Sequence, residues 1–236
     1  MKHLAIIPAR GGSKRLPRKN LLPLGGKPLV AHTLEAATGS GLFETVLLSS
    51  DDPEILAAGA GVPGVVCERR EAELAGDQAK AIEVVRTICR RDDISTTYDT
   101  VCLLLPTCPF RTADDLRQGI QLLRPKDYSV VSISTMKSPP QLSVGLDEAS
   151  GLLNPEILLR PSSLITGMTR SQDFRPYYVV NGGFYFAWMK KFLQGKNFFS
   201  GPVRGYRMDD DRSVDIDDAK DLAVARFLLD QGFVKI

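Results

Sequence analysis

The apolar positions of this chain fall into short continuous runs that alternate with helical stripes. Leu4–Ile7 is a four-residue apolar run that stops at Pro8. Thr45–Leu48, Val65–Val66, Thr100–Leu105, Tyr128–Ser134, Val179–Trp188 and Val203–Met208 are further strand candidates, and Val214–Ile216 is a short one. Between them the spacing predicts helices. One runs from Pro28 to about Thr38, with Leu29, Val30, Thr33, Leu34 and Ala37 on one face. A second follows Asp51-Asp52, either of which can cap it, with Pro53 in its first turn; it ends at Gly61. Gln78–Arg90 carries Ala81, Ile82, Val85 and Ile88 on one stripe. Thr112-Ala113-Asp114-Asp115 predicts a capping box with Asp in place of Glu, opening a helix to about Leu123. Asp217 or Asp218 caps the last helix, to about Gln231. This rhythm predicts an α/β fold: a three-layer, mostly parallel, Rossmann-like sheet with helices on both faces.

The rhythm breaks over residues 136–175, which are rich in Pro, Ser and Gly. An excursion of that length is expected to be functional or to form an interface. The expected organisation is one domain, 1–236, with 136–175 as an inserted subdomain.

Composition narrows the classes. The apolar fraction of 43% and charged fraction of 25% are those of an ordinary globular protein. A net charge of +2 argues against a general nucleic-acid binder. No apolar run approaches the roughly 20 residues of a membrane span, and Leu4–Ile7 is too short for the core of a signal peptide. Cys67, Cys89, Cys102 and Cys108 lack Cys-x-x-Cys spacing and sit in or beside apolar segments, as expected of buried thiols in a reducing cytoplasm.

Charge is distributed unevenly. After the first strand comes a loop with Gly11, Gly12 and five cations, Arg10, Lys14, Arg15, Arg18 and Lys19, whereas the first acidic residue of the chain is Glu35. Two glycines free to adopt positive φ can turn successive N–H groups into an anion nest. Arg10 and Lys14 can reach phosphate oxygens, one as a fork and one as a point charge. The loop is neither a P-loop nor a dinucleotide turn, because Pro17 interrupts it and no helical stripe begins until Leu29. The compensating acid lies far away, in seven aspartates between Asp209 and Asp221. Asp215 and Asp217 are two apart on an extended segment, so both carboxylates project to one side while Ile216 points to the core. Two such carboxylates, with phosphate oxygens and water, suit Mg²⁺. Asp209-Asp210-Asp211 is expected to be a solvated acidic turn. His3 and His32 read as structural, so no general base stands out.

In order along the chain, Ala9-Arg10-Gly11-Gly12-Ser13-Lys14-Arg15, Pro17, Lys19-Asn20, Gly26-Lys27-Pro28-Leu29, Ser49-Ser50-Asp51-Asp52, Arg70-Glu71-Ala72-Glu73-Leu74-Ala75, Leu104–Arg111, Arg170-Ser171-Gln172-Asp173, Asn181–Tyr185 and Ser213–Asp217 together resemble the CMP-sialic acid synthetases, the acylneuraminate and related nonulosonate cytidylyltransferases. The resemblance covers nearly the whole chain. It implies a nucleotidyltransferase fold and transfer of CMP from CTP to the anomeric hydroxyl of a nine-carbon 2-keto sugar acid, with release of pyrophosphate. It implies that Ala9, Arg10, Gly11, Gly12, Ser13, Lys14, Lys19, Asn20 and Arg70 bind the nucleotide, with Arg10 and Lys19 also acting in catalysis. Asp215 and Asp217 would hold Mg²⁺, Arg170, Gln172 and Asn181 would face the sugar acid, and residues 136–175 would form the dimerisation subdomain of a homodimer. Two positions depart from the pattern: Leu105 stands where many members carry Gln, and Cys108 where they carry Ser. A 3-deoxy-manno-octulosonate cytidylyltransferase is the nearest competing reading, although that family usually has Ser-Thr-Arg-Leu-Pro in its opening loop. A non-catalytic nucleotide-binding protein of the same fold is a second, and the intact Asp215 and Asp217 argue against it.

Overall fold

A computed structural model describes residues 1–71, 80–155, 160–167, 170 and 174–236. They divide into two compact units, residues 1–133 with 180–236, and residues 134–179. The first carries a seven-stranded sheet built from β1 (His3–Pro8), β2 (Thr45–Ser50), β3 (Val65–Arg69), β4 (Thr100–Leu103), β5 (Ser129–Thr135), β6 (Tyr178–Trp188) and β7 (Val203–Arg207), in the order β7-β5-β6-β4-β1-β2-β3. β1 runs parallel to β2 and β4, β2 to β3, and β5 to β7, while β6 is antiparallel to β4. The sheet is therefore mostly parallel, as the alternation predicts.

Its longer helices are α1 (Leu29–Gly39), α2 (Pro53–Ala60), α3 (Ala81–Cys89), α4 (Ala113–Gln121), α5 (Met189–Gln194) and α6 (Ala219–Asp230), with a single turn at Asp92–Ser95. Alternation along β1 assigns the two faces. Ala5 and Ile7 join a core with Val30 and Leu34 of α1, Ile55 of α2 and Leu116 of α4. Leu4 and Ile6 join another with Val84, Val85 and Ile88 of α3 and Met189 and Phe192 of α5. Both faces are thus covered, which is why these strands read as unbroken apolar runs.

The caps follow sequence. Asp52 accepts the Glu54 N–H at 2.8 Å ahead of Pro53, and Thr112 and Asp115 form the expected capping box. Asp218 and Asp221 form another at α6. β4 ends at Leu103 rather than Leu105, because the chain turns there and the Cys108 N–H reaches back to the Leu105 carbonyl. Residues 214–216 form no strand, contrary to the sequence expectation. Among the described residues that segment has one backbone bond to the rest of the fold, from the Ile216 N–H to the Thr107 carbonyl at 2.7 Å, too few for a ladder. No helix among the described residues is long and apolar enough to cross a membrane.

In the second unit, residues 145–146 pair with 153–154, and Ser163–Thr166 forms one helical turn capped by Ser162.

Candidate active site

Chain order defines where a ligand can sit. From β1 the chain moves outward to β2 and β3, then returns to place β4 on the other side of β1. The carboxyl ends of β1 and β4 flank the point of reversal, where open α/β sheets leave a crevice. A cavity of about 290 Å³ lies there. Pro8, Arg10, Lys19 and Asn20 line it from the loop after β1, Leu105, Pro106 and Thr107 from the turn after β4, Arg70 from the end of β3, and Asp215 and Asp217 from the segment before α6.

The loop after β1 is braced from within. Buried Asn20 donates from Nδ2 to the Arg10 carbonyl at 2.9 Å, so the two ends of the loop are tied together. Arg18 adopts φ 55°, the left-handed region, just before the 3-10 turn Lys19–Leu21. That turn directs the Lys19 ammonium to Asp217 Oδ1 at 2.9 Å, and Arg15 reaches Asp217 Oδ2 at 2.7 Å. Gly11 and Gly12 differ from expectation. Neither has a positive φ, and the Gly11 N–H donates to Asp51 Oδ1 at 3.0 Å. Glycine is required at position 11 because a Cβ there would fall 2.8 Å from Asp52 Cβ. Asp51 thus faces the loop while Asp52 caps α2. Ala9 is buried beneath the loop, and Gly11, Gly12, Ser13 and Lys14 are not part of the cavity wall.

The acidic segment is held differently. Ile216 is fully buried against Leu24, Leu29 and Phe110, so its neighbours Asp215 and Asp217 point the other way, into the cavity. The expected alternation survives without a strand. Asp215 is open to solvent on one side, yet its pKa is raised. Crowding by protein is the main cause and the charge of Asp217 adds to it, against a hydrogen bond from Thr107 and the charge of Lys19. For Asp217, burial alone would raise the pKa, but the hydrogen bonds and charges of Lys19 and Arg15 outweigh it and the net shift is downward.

Behind the wall sits Arg111, 2% exposed. It donates to Thr33 Oγ1 at 2.8 Å and to the Leu105 carbonyl, fixing the turn that carries Thr107. Burial lowers its pKa. Arg70 is buried too, and its Nη2 donates to the Ser49 carbonyl at 2.7 Å; burial is the main cause of its lowered pKa, with Asp51 opposing. Leu105 is part of the cavity wall, whereas Cys108 is fully buried and its thiol is pushed up to about 11 by burial. The Cys108 departure therefore belongs to the core. All four cysteines are free; three are buried and Cys67 is half-buried. The histidines are structural: His32 bonds the Leu24 carbonyl through Nε2 and His3 bonds Thr100 Oγ1.

Of the other residues expected at the site, Asn181 is buried, and its amide is used inside the protein. Nδ2 donates to Ser213 Oγ at 2.8 Å and Oδ1 accepts the Gly183 N–H at 3.1 Å. Arg170 lies exposed in the second unit, and Gln172 lies outside the described residues. Asp209, Asp210 and Asp211 are exposed, with the Asp211 N–H bonded to Asp209 Oδ1, as expected of a solvated turn. Sequence reasoning gave no role to Thr107 or Arg111, although both lie in a motif it singled out, and it missed the pairing of Arg15 with Asp217.

Comparison with known proteins is consistent along the length of the chain. Residues 4–171 match the model of a family described as cytidylyltransferase. The CMP-N,N'-diacetyllegionaminic acid synthase of Legionella pneumophila is 34% identical over 236 residues, covering 98% of this chain and 97% of the relative. The pseudaminic acid cytidylyltransferase of Campylobacter jejuni is 33% identical over 234 residues, covering 97% and 96%. Among solved structures, a CMP:2-keto-3-deoxy-manno-octonic acid synthetase complexed with CTP superposes with a TM-score of 0.68 at 18% identity, covering 98% of this chain and 100% of the other.

Proposed function

Since this chain belongs to the cytidylyltransferase family, we propose that it transfers CMP from CTP to the anomeric hydroxyl of a nine-carbon 2-keto sugar acid and releases pyrophosphate. The names of its relatives support this acceptor class. The observation that carries the reading is the shared cavity, in which Arg10, Lys19 and Arg70 face Asp215 and Asp217. Triphosphate and sugar acid are both anions, and three guanidinium or ammonium groups beside a carboxylate pair can bring them together.

In this reading Arg10 and Lys19 bind the phosphates, Asn20 holds the loop that carries them, and Arg70 borders the cytidine side. Ala9 to Lys14 supply the remaining loop contacts, with the Gly11 N–H reserved for Asp51. Asp215 and Asp217 would hold Mg²⁺. The donor set fits: both are hard oxygen ligands lining one cavity. Substrate oxygens and water would complete such a site. When bound, the ion would neutralise charge on the leaving pyrophosphate and polarise the α-phosphate. The protein's own residues align the two anions for in-line attack. Arg170 and Gln172 belong to the acceptor side.

A homodimer is part of the same proposal. The second unit exposes Leu146, Leu152, Leu153 and Ile165, apolar surface suited to a second copy. The four free cysteines suit a cytoplasmic enzyme.

The test is pyrophosphate release from CTP and Mg²⁺ with a panel of sugar acids. Release with legionaminic, pseudaminic or sialic acid is expected. Release only with the eight-carbon octulosonate would replace the acceptor class, and no release with any acceptor would overturn the reading.

A further inference from the structure

Asn181-Gly182-Gly183, within β6, forms a device that works inside the protein. Asn181 is 5% exposed. Its Oδ1 folds back to accept the N–H of Gly183, two residues on. Gly182 takes φ 77° to allow that bend. A Cβ on Gly183 would fall 2.6 Å from Met208 Sδ and 2.9 Å from Ser132 Oγ, so a larger residue would force both side chains to shift. With Oδ1 occupied, the amide presents Nδ2 in one direction, towards Ser213 Oγ at 2.8 Å.

Ser213 uses that bond to close the acidic turn. Its hydroxyl accepts from Asn181 and donates to the Asp209 carbonyl at 2.7 Å, and its N–H donates to the Asp210 carbonyl at 3.2 Å. Two residues later comes Asp215. Beyond it the Ile216 N–H is bonded to the Thr107 carbonyl, and the Asp217 N–H to Asp221 Oδ2 at 2.9 Å. The segment bearing both carboxylates has no ladder to keep it in register; Ser213 anchors it ahead of Asp215, while Ile216 and the bonds of Asp217 to Lys19, Arg15 and Asp221 anchor its far end.

We propose that Asn181 is a positioning residue that acts through Ser213 to hold Asp215 and Asp217 in register for the metal, rather than a residue that touches the sugar acid. The proposal rests on the function proposed above. It assigns Asn181 to the Mg²⁺ side of the site, and it assigns Ser213, which does not line the cavity, a part in metal binding.

A double-mutant cycle decides. Asn181→Ala, Ser213→Ala and the double variant are compared by calorimetric titration of Mg²⁺ into protein with CTP and no acceptor, and then by turnover. The expected result is a roughly tenfold weaker Mg²⁺ affinity in each single variant, with little further loss in the double, because the two residues act as one unit. KM for the sugar acid should stay near the wild-type value. Asn181→Ala also removes the partner of the Gly183 N–H and can destabilise the fold; Ser213→Ala leaves that bond intact and carries the test alone if need be. A silent Ser213→Ala, or an Asn181→Ala whose only effect is a raised KM for the sugar acid, would overturn the proposal. A wild-type protein that releases no pyrophosphate would instead remove the function on which it rests, while the Mg²⁺ titration would still report on the clamp.

Discussion

The basic loop at residues 9–20 and the acidic segment at 209–217 meet in one cavity but are held there by different forces. Beyond the Asn20 amide that ties its ends together, the loop is secured by charge. Arg15 and Lys19 reach Asp217, Arg18 reaches Glu54 at 2.5 Å, and the side chains of Arg15 and Arg18 are 68% and 53% exposed. The acidic segment shares the ion pairs at Asp217 but adds neutral hydrogen bonds and one buried side chain: Asn181 to Ser213, Ile216 to Thr107, and Ile216 in the core. Exposed ion pairs are weak and screened by salt, whereas buried hydrogen bonds and apolar contacts are not. The outer part of the loop, around Arg15 and Arg18, is therefore expected to be more salt-sensitive than the acidic segment.

Four changes would break or sharpen this contrast. The largest effect is expected from Asp217→Asn, which keeps the shape and removes the charge. Turnover should fall by about 10²–10³-fold, the scale seen when one preorganised electrostatic partner of a transition state is lost, as read in single-turnover assays. Next is Ile216→Ala. It should cost about 3 kcal/mol of stability by opening a cavity in the core, measured by urea unfolding, and should lower turnover because the carboxylates lose their anchor. Lys19→Ala should weaken CTP binding by about tenfold, or about 1.4 kcal/mol, in a calorimetric titration. An unchanged CTP affinity would remove the loop from the binding site.

The smallest effect belongs to Arg15→Gln. The pair with Asp217 is exposed, so its loss should cost under about 1 kcal/mol and should shrink further in 1 M salt. The pH dependence has a definite sign. Asp217 has a lowered pKa in the folded protein, so the pair's contribution is present above the unfolded value of about 4. It is lost as pH falls through the folded value. The stability gap between wild type and Arg15→Gln should therefore be full at neutral pH and close in acid. A gap that widens in acid would show that Arg15 does not act on Asp217.

The helix starts were legible because their signals are local. Thr112 with Asp115, and Asp52 with Pro53, carry their caps within four residues. The two faces of β1 were legible because alternation needs no knowledge of partners. The acidic segment was half legible: the spacing of Asp215, Ile216 and Asp217 gave the directions of the side chains, but its non-strand backbone depends on Thr107, over a hundred positions away. The same limit explains Gly11. Paired glycines in a basic loop suggested positive φ and an anion nest, but the glycine at 11 answers to Asp51 and Asp52, brought in by β2. Asn181 was singled out as a ligand contact, while its hydrogen bonds to Gly183 and Ser213 arise only once β6 and the acidic turn meet.

The division of labour between loop and acidic segment is tested most directly by Asp215→Ala, with CTP affinity and pyrophosphate release measured on the same preparation. The expected result is CTP binding within about threefold of wild type and no detectable pyrophosphate release with any sugar acid. Release at the wild-type rate would contradict the assignment of the acidic pair.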